Sequence, residues 1–201
     1  NKGRIRRCLR DDDDSVDCKN VENGLKNSEK SAYRPIAVDG LVTADPNDDG
    51  DAPDGLFHGV AMVSNDEDGL ASLVWGDASD KFDYTLVDNA NQVFDVERSG
   101  ADSIWVSGDQ GYLARFDGDD TWTQIEGPDA MAGLELTALD RVSGHLLVGG
   151  HWEGAAGGEA YLFVLPKGED AQDPSAWVTV ELGLYRQVHA IHGDQNGLTI
   201  L

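Results

Sequence analysis

The chain has 201 residues with a hydrophobic fraction of 40%, 24 glycines and five tryptophans, which excludes a wholly disordered polypeptide and bounds the fold at one or two cores. Its 38 acids against 15 bases leave a formal net charge of −23. A field of that sign repels nucleic-acid phosphates and anionic membranes and favours cations and basic partners.

Residues 1–33 open with Lys2, Arg4, Arg6, Arg7 and Arg10, pass through Asp11–Asp14 and continue as a polar stretch. With almost no apolar periodicity, they read as an irregular, extended segment pinned by a disulfide. Cys8 and Cys18 are the only cysteines. In an exported protein the pair would close a short polar loop worth about 2–3 kcal/mol; two thiols without a nearby histidine are too few for structural zinc.

Residues 34–55 hold one expected strand (Ile36, Ala37, Val38, Leu41, Val42) and then an acidic loop, Asp45-Pro46-Asn47-Asp48-Asp49-Gly50-Asp51-Ala52-Pro53-Asp54-Gly55. Oxygen side chains at alternate positions before a glycine suit a hard cation, so Asp45, Asn47, Asp49, Asp51 and Asp54 are candidate calcium ligands. Leu56 stands where an EF-hand needs its bidentate Glu. The loop is therefore either a weak calcium site or a solvated acidic linker.

From residue 56 to 201, short apolar runs alternate with turn clusters, the texture of an all-β fold without helices. Four stretches repeat a pattern of an apolar pair, a polar turn and a second apolar strand. The pairs are Val60/Val63, Val93/Val96, Leu136/Leu139 and Val188/Ile191. Their spacings of 33, 43 and 52 residues differ through loops, where extra length costs little. The second strands end alike, in Val74-Trp75-Gly76-Asp77, Val106-Ser107-Gly108-Asp109 and Val148-Gly149-Gly150-His151. Two units add third and fourth strands, with Trp122 and Trp177 in the same place. Such repeats predict four-stranded antiparallel blades, about three to four in number. The final apolar run, Leu198 to Leu201, reads as the start of a further unit, and the chain as part of a longer polypeptide.

The stretch Ser103-Ile104-Trp105-Val106-Ser107-Gly108-Asp109-Gln110-Gly111-Tyr112-Leu113-Ala114-Arg115-Phe116-Asp117-Gly118, followed by Thr121-Trp122, resembles bacterial extracellular β-propeller repeats of the Asp-box and photosystem-assembly-factor type. In an Asp-box the acid ahead of Thr-Trp ties the turn between third and fourth strands; Asp117, Thr121 and Trp122 match that spacing. Asp119 stands at the usual glycine and Arg115 at the usual Ser/Thr. The resemblance implies a partial β-propeller and says little of function, because propellers host enzymes, adhesins and scaffolds alike.

Trp105, Trp122 and Trp177 fall on expected strands and suit packing between blades. Trp75 and Trp152 lie at strand-to-loop junctions, where an indole can stack on a glycan or peptide, and are the candidate ligand-binding residues. The five histidines have no metal-binding spacing. Arg98 and Arg141 occupy equivalent repeat positions, the mark of a structural residue. No catalytic constellation emerges. The expected protein is an extracellular or periplasmic propeller serving as a binding or structural module of a larger surface protein or assembly, with a protein or glycan partner at one face. The other reading is a propeller hydrolase or lyase completed by blades outside this stretch. Its acidity also suits the cytoplasm of a salt-adapted organism.

Overall fold

The computed structural model describes residues 6–10, 16–20, 22–23, 33–43, 56–65, 71–76, 81–87, 92–98, 103–118, 121–152, 159–183, 187–194 and 197–201. Side chains are described at 36, 37 and 39 and from residue 87 onward, apart from 194. Every described regular element longer than one turn is a strand. Short 3-10 turns occur at Asp109–Gly111, Asp129–Met131 and Pro174–Ala176, and no described helix is long and apolar enough to cross a membrane.

A hairpin comes first, β1 (Arg6–Arg10) against β2 (Val16–Asn20). Next, β3 (Glu22–Asn23) runs parallel along the outer edge of a sheet whose other strands are β4 (Tyr33–Thr43), β5 (Leu56–Asn65), β6 (Ala71–Gly76) and β7 (Lys81–Leu86), in consecutive antiparallel order. The second sheet is an antiparallel meander of β8 (Val93–Arg98), β9 (Ile104–Gly108), β10 (Leu113–Phe116) and β11 (Trp122–Gln124). A third repeats the order with β12 (Glu135–Val142), β13 (His145–His151), β14 (Ala160–Leu165) and β15 (Val178–Glu181). Finally, β16 (Ile191–Asp194) pairs with β17 (Gly197–Ile200).

Period-two alternation explains why these sheets stack. On β9, Ile104 and Val106 join a core with Ile36 and Ala37 of the first sheet, while Trp105 points the other way into a core with Leu146, Val148 and Phe163 of the third. On β14, Tyr161, Phe163 and Leu165 enter that same core, and Ala160 and Leu162 pack with Val188 and Ile191 on the opposite face. The inner strands β9, β13 and β14 are therefore buried on both faces, while β11 and β15 stay open to solvent. Their first strands also touch in succession: β4 lies against β8, β8 against β12, and β12 against β16.

The repeat begins one strand earlier than its apolar spacing suggests. β4 pairs with β5 from Tyr33 to Thr43, so Val60 sits on a second strand and Trp75 on a third, and the boundary expected at residue 56 falls inside one sheet. The bulges give the true phase. Each of the three first strands slips register near its start, between Pro35 and Ala37, Val93 and Asp95, and Leu136 and Ala138. Pro35 and Gly40 weaken the apolar signal of β4, and the acidic stretch that follows separates it from its partner in the sequence. Ser143 and Gly144, an expected turn, have φ of 53° and 89°, the paired positive angles that a tight two-residue hairpin requires.

The hairpin sets Cys8 directly opposite Cys18. Opposed residues in an antiparallel pair have Cα atoms about 4.5–5.5 Å apart, inside the roughly 4.4–6.8 Å that a disulfide spans. The expected result is a bonded pair: unreduced protein treated with iodoacetamide should gain no mass, and gain two adducts only after reduction. Two adducts before reduction would remove this argument for export.

Candidate functional site

The bulges align Asp39, Glu97 and Asp140 on three first strands, and the apolar spacing of Val93, Leu136 and Val188 puts His192 at the same place on the fourth. Asp39 Oδ2 accepts the backbone N–H of Arg98 on the next sheet at 2.6 Å. Asp140 Oδ2 likewise accepts from Gly193 on the sheet after its own, at 2.7 Å. Position 193 corresponds to position 98, so the same bond is made at two junctions. Between them the task falls to Asp95, two residues before Glu97, whose Oδ2 accepts from Leu139 N at 2.8 Å and whose Oδ1 accepts from Val96 N at 2.9 Å. A carboxylate thus joins each sheet to the first strand of the next.

This gathers Asp39, Asp95, Glu97 and Asp140, all half-buried, at the junction of three first strands. Burial pushes Asp95 up to about 6, against the pull of its two backbone N–H donors and with the charges of Asp39 and Asp140 adding to the rise. Glu97 is pushed up to about 8, first by burial, then by the charges of Asp39 and Asp140 and a hydrogen bond with Asp39. His192 Nδ1 lies 4.0 Å from Asp140 Oδ2. Among the described residues, no group of three or more acids, histidines or cysteines has the geometry to hold a metal ion.

A groove of about 280 Å³ opens between the second and third sheets, its polar lining drawn from Ser103, Trp105, Arg115, Arg141, Glu169 and Asp170. Arg115 Nε bonds Asp117 Oδ1 at 2.6 Å, and its guanidinium lies 5.7 Å from the centre of the Trp105 ring. Asp117 Oδ2 accepts from Thr123 Oγ1 at 2.8 Å, and the backbone closes the turn with Asp117 N to Thr121 O at 3.0 Å. Asp117 therefore ties the connection between β10 and β11. Arg141 is exposed, and its guanidinium pairs with no described residue.

Of the residues expected to bind, Asp45, Asn47, Asp49, Asp51 and Asp54 lie outside the described residues. Trp75 is on β6, with its side chain outside them. Trp152 is 45% exposed, and its ring lies over Gly133, where an added Cβ would come within 3.0 Å of it. Trp75 is on the first sheet and Trp152 just past β13 of the third, and nothing described brings them together. Arg98 and Arg141 hold equivalent positions but diverge, the first buried and the second open to water. His151 is buried with Nε2 3.2 Å from Glu135 Oε2, a pairing made by register across β12 and β13. The carboxylate junction was not anticipated. Its signal was the acid preceding each equivalent arginine, in Glu97-Arg98 and Asp140-Arg141.

No family model, curated protein or solved structure matches the chain.

Proposed function

We propose that the chain is a β-propeller module, exported to the cell surface or periplasm, that binds a protein or glycan partner within a larger assembly. The supporting observation is the succession of four-stranded meanders whose first strands lie side by side, each joined to the next by a carboxylate on a backbone N–H. In this reading the interior acids serve cohesion, and binding falls to the surface. The groove beside Arg141 is the concave candidate, since its cations stand out on so acidic a chain and an unpaired guanidinium can take an oxyanion. The exposed indole of Trp152 offers a second contact.

Panels of immobilised glycans and peptides test the reading with the parent, Arg141→Gln and Trp152→Ala. At least one partner class should bind the parent and lose about tenfold or more in one variant, as truncating a central contact does. Retention unchanged in both variants would remove the module from these two surfaces, and turnover of a bound glycan would make it an enzyme.

Calcium at residues 45–54 belongs to the same proposal. Five acids in ten residues repel one another without a cation, and six to eight oxygen ligands in loose geometry suit calcium better than magnesium. The expected dissociation constant is about 10⁻⁴–10⁻³ M, as in other extracellular modules. Calorimetry should show binding by the parent and its loss in Asp45→Asn/Asp49→Asn; equal heats from both would reduce the loop to a solvated linker.

A further inference from the structure

We propose that the groove between the second and third sheets binds a small zwitterion, an α-amino acid held by its carboxylate at Arg141 and by its ammonium at Glu169. The inference rests on the reading of that groove as a binding surface. Its floor is the end of the core between the two sheets: Trp105 from β9, Leu146 from β13 and Leu165 from β14, all buried. Around that floor stand two arginines and two acids.

One charge of each sign is already committed. Arg115 gives its Nε to Asp117 Oδ1 at 2.6 Å and lies 5.7 Å from the centre of the Trp105 ring. Asp170 Oδ1 accepts the Gln172 N–H at 3.0 Å. Arg141 and Glu169 remain, both exposed, and neither pairs with the other or with any described residue. Opposite charges that line one groove without meeting leave room for a molecule that carries both. An occupant with an anion alone would still face Glu169, and one with a cation alone would face Arg141. The guanidinium takes a carboxylate through two parallel N–H donors, and an ammonium donates to the acid. At about 280 Å³ the groove lies just below the usual small-molecule pockets of about 300–1,000 Å³, which suits one residue better than a chain.

The wall that carries Glu169 is fixed before any ligand arrives. The chain turns at Gly168, whose φ is 87°, and Glu169 N bonds Pro166 O at 3.2 Å. Lys167 N donates to His145 Nδ1 at 3.2 Å, Asp173 N to Asp170 O at 3.1 Å and Trp177 Nε1 to Ala171 O at 3.1 Å. Gln172 Nε2 crosses to the second sheet and donates to Gln124 O at 2.9 Å, tying this loop to the opposite wall. Arg141 rides on β12, in register with Leu146 of the floor. Both charges are mounted on ordered backbone, which lowers the entropy lost on binding.

Titration of the full chain with each common amino acid in turn, followed by 15N NMR, tests this. At least one should bind with a Kd of about 1 mM or tighter and shift the amides of Gly144, Gly168 and Glu169. Removing one charge from that ligand, as its carboxamide or its N-acetyl derivative, should weaken binding by about tenfold or more. Arg141→Gln should erase the difference between the amino acid and its carboxamide. Glu169→Gln should erase that between the amino acid and its N-acetyl derivative, the coupling expected of two direct pairs. Both positions are exposed, so the variants should keep the parent's spectrum elsewhere. No saturation by any amino acid well above that concentration, or equal binding of the N-acetyl derivative by the parent, would overturn the zwitterion. So would tighter binding of O-phosphoethanolamine, which carries the same two charges as a lipid headgroup. A glycan or larger peptide lost in Arg141→Gln would then still mark the groove as a binding surface, so the two readings fail separately.

Discussion

Alanine at position 108 is expected to lower stability by about 3 kcal/mol, at the upper end for overpacking. Gly108 closes β9, and a Cβ there would lie 2.1 Å from the carbonyl oxygen of Gln92. That oxygen is backbone, and it already accepts the Asp109 N–H at 3.0 Å, while Gln92 N donates to Asp109 Oδ1 at 3.1 Å. No rotamer can move aside, so the second sheet must shift where the chain enters it. For a chain of this size the loss corresponds to a fall in melting temperature of roughly 6–12 °C. Gly118→Ala is the control: its φ of 85° disfavours alanine, but nothing lies within 4 Å of the added carbon. It should cost only about 1 kcal/mol. Similar losses in the two variants would mean that the approach of Gln92 to Gly108 does not constrain the fold.

Phe163→Ala should cost about 3–5 kcal/mol, the range for emptying a buried aromatic site. The ring is fully buried on β14 in the core shared by the second and third sheets, and stacks on Tyr161 with centroids 5.9 Å apart. The core it belongs to draws Trp105 and Leu113 from the second sheet and Leu136 and Val148 from its own, so collapse of one sheet alone cannot fill the space. Urea denaturation should show a lowered midpoint with an unchanged slope. Phe163→Leu, which keeps most of the volume, should lose about 1.5 kcal/mol or less. A change in slope for Phe163→Ala would mean that the two sheets separate as independent units.

The strands of the second and third sheets were legible because each carries its own alternation and a glycine-bearing turn: Val93, Leu136 and the Ser143-Gly144 pair sit where their spacing placed them. The first sheet was misphased because β4 reads weakly, with Pro35 and Gly40 inside it. The acids at 39, 95, 97 and 140 escaped notice for another reason. A half-buried carboxylate on a neighbour's backbone N–H leaves no residue preference at the donor, so Arg98, Leu139 and Gly193 have nothing in common to find. Only the acceptor side repeats, and its partial shift from Glu97 to Asp95 at the middle junction blurs even that.

The three carboxylate bonds point one way along the chain, whereas the Thr137 hydroxyl on β12 donates the other way, to the carbonyl of Val188. The acceptor is on the earlier sheet and the donor on the later one, from Asp39 to Arg98, Asp95 to Leu139 and Asp140 to Gly193. A ribosome therefore releases each sheet with its acceptor in place before the strand that satisfies it has been made. Growth is vectorial: every newly emerged first strand meets a charged template rather than a finished surface. Where docking keeps pace with synthesis, a later unit finds its seat beside the one just before it.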